Sequence, residues 1–338
     1  MRVHDDPAQW AILTRDLRRE YAAPRGRPPL VALDGVNIAV PRGELFGLLG
    51  PNGAGKSTLI KILTTLLLPT SGQAWVLGYD VARQHRQLRP FINMVSGGET
   101  SGYGLLTVEE NLWMFAQFHG MPSRLARQRI REMASRLGLL QRLGTKVSKL
   151  STGLRQKMNI IRGFLTEPEV LFLDEPTLGL DVNAAREVRA FVREWMQARG
   201  GRTVLLTTHY MHEAEELCHR VAIIHRGRII ALDTPENLKR RVQGGALFRL
   251  RLQTTRPWDA TTLEALPGVH RARLQVGPAD ARLDLHLDDD AVLPPVLEVL
   301  TRQGARLLSL EKRAPTLEDV FVHLVGEDLT PTAAGGGS

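Results

Sequence analysis

Two stretches of this sequence hold residue types suited to nucleoside-triphosphate chemistry. Gly50-Pro-Asn-Gly-Ala-Gly-Lys56-Ser57 fits the phosphate-binding pattern in which spaced glycines close on a lysine and a hydroxyl. An apolar run at 45–49 precedes it and a helix-like run at 58–68 follows, the strand–loop–helix setting the pattern requires. In that setting Gly50, Asn52, Gly53, Ala54 and Gly55 curl the backbone so that successive N–H groups face phosphate oxygens. Thr58 begins a helix whose positive end adds to the attraction. Lys56 is expected to contact the β- and γ-phosphates of ATP, and Ser57 to hold Mg2+. The second stretch, Val170-Leu-Phe-Leu-Asp174-Glu175-Pro176, is an apolar strand ending in two carboxylates. Ligands of parallel sheets bind at that end of the strand. Asp174 is the candidate to hold Mg2+ through water, and Glu175 the candidate general base for an attacking water.

Many ATPases share those two features, and a third narrows the choice. Leu150-Ser-Thr-Gly153-Leu-Arg-Gln-Lys lies 23 residues before Asp174, counted from Ser151. Ser151 suits the cap of a helix whose positive end can face a phosphate. The octet resembles the signature of ATP-binding-cassette (ABC) ATPases, in a Ser-Thr-Gly variant found among exporter subunits. Leu178-Gly-Leu-Asp181 resembles the D-loop of that family, and Thr207-Thr-His209 its switch histidine. Tyr21 resembles the aromatic residue that stacks on adenine, with packing as the alternative reading. Thr316-Leu-Glu-Asp319-Val-Phe resembles the C-terminal extension of daunorubicin-resistance-type exporter ATPases.

The resemblance implies a working arrangement. A second copy of the chain meets the first head-to-tail, and Ser151 and Gly153 of one copy bind the ATP held by the other's phosphate loop. Asp181 contacts the opposite site, and His209 orients the water with Glu175. Membrane-spanning permease subunits convert closing and opening into transport, with export favoured, at the cytoplasmic face of the membrane. One departure stands out. The family has a glutamine after the strand that follows the phosphate-loop helix, whereas here the stretch reads Ser96-Gly97-Gly98-Glu99-Thr100. Gly97 or Gly98 takes its place, and Glu99 is the candidate to supply the missing Mg2+ or water contact.

Composition narrows the rest. The chain has 338 residues, 43% hydrophobic and 24% charged, enough for one large domain and a smaller one. A single cysteine, Cys218, excludes a disulfide framework and a multi-cysteine zinc site. His209 and His212 lack a standard zinc spacing. No apolar run approaches the roughly 18 residues that span a bilayer, and the first ten residues do not read as a secretory signal. The net charge of +8 comes from scattered basic residues without aromatic interleaving, so nucleic acid is not an expected partner. A soluble ABC ATPase acting on ribosomes or DNA is the alternative function, and a non-hydrolysing scaffold a third. The first would bring paired cassettes, a coiled-coil insert or zinc cysteines, and the second would lack Glu175 and His209.

Short apolar runs at 45–49, 170–173, 204–206 and 221–224 read as buried strands alternating with helices, an α/β fold with a mostly parallel sheet. Residues 105–165 read as a helical insert, opened by the capping box Thr107-Val-Glu-Glu110 and including a helix over 124–140. The cassette is expected to span residues 1–240. From 245 to 325, strands at 246–252, 272–276, 283–287 and 306–310 and helices at 261–266 and 292–303 give the order β-α-β-β-α-β, a small ferredoxin-like α+β domain. A helix capped by Thr316 closes it, and residues 326–338 read as a flexible tail.

Overall fold

The structure is a computed structural model, and it describes residues 6–22, 28–97, 102–241, 245–253, 261–277 and 280–329. Two compact units divide the chain, 1–235 and 236–338.

The centre of the first unit is a six-stranded sheet. β4 (Leu45–Leu49), β7 (Ile92–Ser96), β8 (Val170–Asp174), β9 (Thr203–Thr208), β10 (Arg220–His225) and β11 (Arg228–Asp233) lie in the order β11-β10-β4-β9-β8-β7. All pairs are parallel except β10 with β11. β4, β8 and β9 are buried at every residue, which is why their sequences are unbroken apolar or Thr-rich runs rather than alternating ones. Helices cover the sheet: α1 (Lys56–Leu63), α5 (Thr152–Phe164), α6 (Val182–Ala198) and α7 (Met211–Leu217). Phe164 of α5 meets Phe191 and Trp195 of α6 edge-on, each at 5.0 Å between ring centroids. Edge-on pairs of this kind add to plain area burial.

A second, antiparallel sheet joins the unit, and the sequence reading did not foresee it. It consists of β1 (Trp10–Tyr21), β2 (Leu30–Val36), β3 (Ala39–Pro41), β5 (Ser71–Val76) and β6 (Tyr79–Asp80), in the order β2-β1-β5-β6 with β3 also on β1. Register shifts near Asp16, which holds φ of 46°, interrupt β1 and hide its alternation. The short α2 (His85–Leu88) links β6 to β7.

α3 (Val108–Phe118) and α4 (Ser123–Arg136) form the helical insert with α5. The capping box is in place, with the Glu110 backbone N–H donating to Thr107 and the Thr107 backbone N–H donating to Glu110. α4 stops at Arg136 instead of running to residue 140, because Gly138 turns left-handed at φ of 69°.

In the second unit, after α8 (Pro235–Arg241), come β12 (Ala246–Gln253), α9 (Thr261–Glu264), β13 (Val269–Val276), β14 (Ala281–Leu287), α10 (Leu293–Arg302), β15 (Arg306–Lys312) and α11 (Leu317–Leu329). The strand order is β13-β14-β12-β15 with every pair antiparallel, the ferredoxin-like topology. β13 begins at Val269, three residues earlier than its sequence pattern indicates, and α9 ends at Glu264 rather than 266. Thr316 caps α11, its hydroxyl accepting from the Asp319 N–H. Gly244 and residues 330–338 lie outside the described residues.

Candidate nucleotide site

The site grows from the ends of the parallel strands. β4 runs into the phosphate loop and α1 leaves it. Gly55 takes φ of 109°, and a Cβ there would stand 2.5 Å from the Ala32 carbonyl oxygen, so no other residue fits the turn. The hairpin between β10 and β11 braces the loop. The Gly227 N–H donates to the Ala54 carbonyl at 3.0 Å, and the Gly227 carbonyl accepts from the Asp34 N–H at 2.9 Å. Asn52, Gly53 and Ser57 are exposed along this loop, and Ala54 is buried beneath it.

Lys56 is only 5% exposed. Its ammonium donates to the Gly50 carbonyl at 2.7 Å and the Pro51 carbonyl at 3.2 Å, and stands 3.4 Å from Glu175 Oε1. A buried ammonium held by neutral carbonyls and one carboxylate is ready to exchange those partners for phosphate oxygens.

The carboxylates sit where β8 ends. Asp174 pairs in register with Thr207 of β9, and the Thr207 hydroxyl donates to Asp174 Oδ1 at 2.5 Å. Glu175 follows in the left-handed region, φ 51°, with its N–H donating to the Thr207 carbonyl at 3.0 Å. That backbone state is costly for a residue with a side chain and is held here by the neighbouring strand. His209, just past β9, brings Nδ1 to 3.1 Å from Glu175 Oε2, a contact without hydrogen-bond alignment. The His209 ring packs on Tyr210 at 4.0 Å between centroids.

Gly97 continues β7 beside this group. Its N–H donates to the Asp174 carbonyl at 2.7 Å, and a Cβ there would fall 2.1 Å from the Glu175 carbonyl oxygen. Backbone faces backbone at that point, so the position admits no side chain. Gly98 and Glu99 lie outside the described residues.

A second group forms at the start of α5. Ser151 caps the helix, its hydroxyl accepting from the Leu154 N–H at 3.4 Å, and both Ser151 and Thr152 are exposed. A Cβ on Gly153 would meet Leu180 at 3.5 Å. Asp181 caps α6, accepting from the Ala184 N–H at 2.9 Å. The two groups are tied by the buried Gln156, whose amide donates to the Pro176 carbonyl, next to Glu175, at 2.8 Å. Tyr21 ends β1 with its hydroxyl 3.5 Å from the Thr58 hydroxyl, and the Arg19 guanidinium lies 4.8 Å from its ring centroid.

Thus Lys56, Asp174, Glu175 and His209 come together, Tyr21 stands by Thr58, and Ser151, Gly153 and Asp181 form the adjoining cluster. The sequence reading passed over Gln156 and Thr207 as functional residues. Both lay inside motifs it used, but their partners become visible only once β8, β9 and α5 are packed. It also passed over Glu213, 3% exposed behind this site. Burial raises its pKa against the opposing pull of Thr208, Thr177 and Arg189. The Cys218 thiol is likewise pushed well up, by burial and then by Glu213 and Glu44, which leaves it unreactive. His212 is exposed, its Nε2 4.0 Å from Glu216 Oε2.

The donor set suits Mg2+: a serine hydroxyl and a buried carboxylate whose Oδ2 makes no hydrogen bond among the described residues, both hard oxygen ligands.

A phosphate loop on a central parallel strand, a carboxylate pair one strand beyond its neighbour and a serine-capped helix tied to that pair place the chain among ABC-cassette ATPases. The comparisons with known proteins agree. Residues 33–178 match the family described as ABC transporter, and residues 234–325 match the DrrA1-3-like C-terminal domain of ATP-binding proteins. The daunorubicin resistance ATP-binding protein DrrA3 of Streptomyces coeruleorubidus is 37% identical over 300 residues, 88% of this chain and 92% of that one. The daunorubicin/doxorubicin resistance ATP-binding protein DrrA of Streptomyces peucetius is 37% identical over 318 residues, 94% and 92%. A solved ATP-binding subunit of an ABC transporter superposes with a TM-score of 0.61 at 31% identity, covering 69% of this chain and 93% of its own. The chain belongs to the ABC transporter ATP-binding proteins of the daunorubicin/doxorubicin-resistance type. It is an ATP-binding ABC ATPase, and the ribosome- or DNA-directed alternative is not favoured.

Proposed function

We propose that two copies of this chain close around two Mg-ATP and drive a separate membrane permease that exports a drug-like molecule. The observation that carries the reading is the meeting of Lys56, Glu175 and His209 at the end of β8, with the serine-capped α5 tied to the same strand end. Lys56 and the backbone N–H groups of residues 52–58 bind the phosphates, and Tyr21 stacks on the adenine with Arg19 behind its ring. Ser57 and Asp174 would hold Mg2+, which would screen the phosphate charge. As phosphate takes over Lys56, Glu175 is released from its ion pair and can accept a proton from the attacking water. His209 orients that water. Ser151, Gly153 and Asp181 act on the partner's nucleotide, which the exposure of Ser151 allows.

The helical insert offers the docking surface for the permease. Tyr103, Leu105 and Phe118 are 64%, 82% and 73% exposed, beside an apolar cavity of about 200 Å3 lined by Leu112, Met114, Phe115 and Met158. Among the described residues no helix is long and apolar enough to cross a membrane. Service to a permease as its ATP-binding subunit is what places the chain, in this reading, against the cytoplasmic face as a peripheral subunit. Relatives named for daunorubicin or doxorubicin resistance support a drug-like cargo, and export is the direction that would give resistance.

Glu175→Gln tests the reading. Removal of a general base lowers turnover by about 10²–10⁴-fold. The variant should still bind ATP and should elute with ATP at twice the 37.6 kDa chain mass. Turnover at the wild-type rate would remove Glu175 from its role. A monomer at high concentration with ATP, alone and in the membrane complex, would remove the dimer.

A further inference from the structure

The sheet of the second unit packs its main core against one face. Phe248, Leu250, Leu252, Leu283 and Leu285 pack with Val296 and Leu300 of α10. The alternate positions point to the other face and are rich in arginine: Arg249 on β12, Arg271 and Arg273 on β13, and Arg282 on β14. Arg313, just after β15, joins them. With the first turn of α11 these five guanidiniums line a cavity of about 280 Å3.

Three carboxylates share the lining, and each is already engaged. Asp284 accepts from Arg249 Nε at 2.7 Å and also faces Arg282 Nε at 3.4 Å. Asp319 receives both Arg313 terminal nitrogens, at 2.6 and 2.7 Å, and the Thr316 hydroxyl at 2.7 Å. Glu318 stands 3.4 Å from Arg273. Arg313 Nε has no hydrogen-bond partner, the Asp284 carboxylate being 3.9 Å away. Arg271 has no carboxylate within ion-pair distance among the described residues, and the register sets it opposite His286. Five positive groups therefore face three negative ones. Like charges on adjoining strands destabilise a sheet. His286 lines the same cavity, and its pKa is lowered by burial first and then by His270 and His323, with Asp319 opposing and Arg313 adding to the shift.

We propose that this arginine-lined cavity binds a phosphate group carrying two negative charges, presented by a small soluble phosphate ester or by a lipid headgroup. The surplus of two charges matches one phosphate dianion. Guanidinium forks meet phosphate oxygens in pairs, which a cluster of ammonium groups cannot do. The volume lies below the roughly 300–1,000 Å3 of sites for drug-sized ligands, so a phosphate with a small substituent fits and a nucleoside triphosphate does not.

The test uses the full chain with Lys56→Ala, which disables the phosphate loop, titrated with inorganic phosphate in a calorimeter. One site per chain should bind, and Arg271→Gln with Arg273→Gln added should weaken it about tenfold or more. Both arginines are exposed, and a melting curve checks that the variant keeps its fold. Co-sedimentation with phosphatidic acid vesicles, lost in the Arg271→Gln, Arg273→Gln variant and displaced by inorganic phosphate, would assign the lipid source. Phosphate binding without vesicle binding would assign the soluble one. No heat up to about 10 mM phosphate, or equal affinity in the two-arginine variant, would overturn the proposal. Because Lys56 is absent throughout, failure here leaves the ATPase reading untouched.

Discussion

The six-stranded sheet of the first unit and the four-stranded sheet of the second place their polar groups in different ways. β4, β8 and β9 are buried on both faces, so the chemistry of the first unit collects where strands end: Lys56 after β4, Asp174 and Glu175 at β8, His209 after β9. β14 buries alternate residues, β12 does so from Phe248 onward, and both carry charge along the strand itself. A two-sided core leaves polar side chains only its loops, and loops can be strained, as Glu175 is. A one-sided sheet offers a stiff grid of side chains at fixed spacing, suited to holding an ion and unsuited to moving one.

Three substitutions sharpen that contrast. Leu250→Ala empties the middle of the one-sided core and should cost about 2–5 kcal/mol. Scanning calorimetry should show one of two transitions falling while the other stays. A uniform fall of a single transition would mean that the two sheets melt together. Gly97→Ala drives a Cβ into the Glu175 carbonyl and should cost about 1–3 kcal/mol, with ATP turnover falling further than ATP affinity. Unchanged turnover would show that the strand ends tolerate movement. Glu213→Gln is the mildest. The folded state raises the pKa of this carboxyl, so the native chain holds its proton longer than the unfolded chain. Stability is therefore lost as pH rises above the unfolded value. The variant should melt higher than wild type at neutral pH, and the difference should shrink as pH falls toward the ordinary glutamate range.

Much of this organisation was legible in the sequence because burial on both faces writes unbroken apolar runs, and β4, β8, β9 and β10 stood out for that reason. The phosphate loop and the Asp174-Glu175 strand end were legible because backbone curvature and phosphate chemistry restrict residue choice. β1 was not, since the irregular register near Asp16 breaks its alternation. Nor were Thr207 to Asp174 and Gln156 to Pro176, which join distant segments through the register of β8 with β9 and the packing of α5. The arginine face of β13 was hidden among scattered basic residues until strand pairing aligned Arg273 with Asp284.

Glu175 and Asp181 are six residues apart, and the short stretch between them is pinned at Pro176 by Gln156 and meets Gly153 through Leu180. With so little slack, a tug on the outer end of α5 cannot dissipate in a loose loop. Under the proposed function it would pass through the Gln156–Pro176 bond to the peptide next to Glu175, so a partner that holds Ser151 would also bear on the general base.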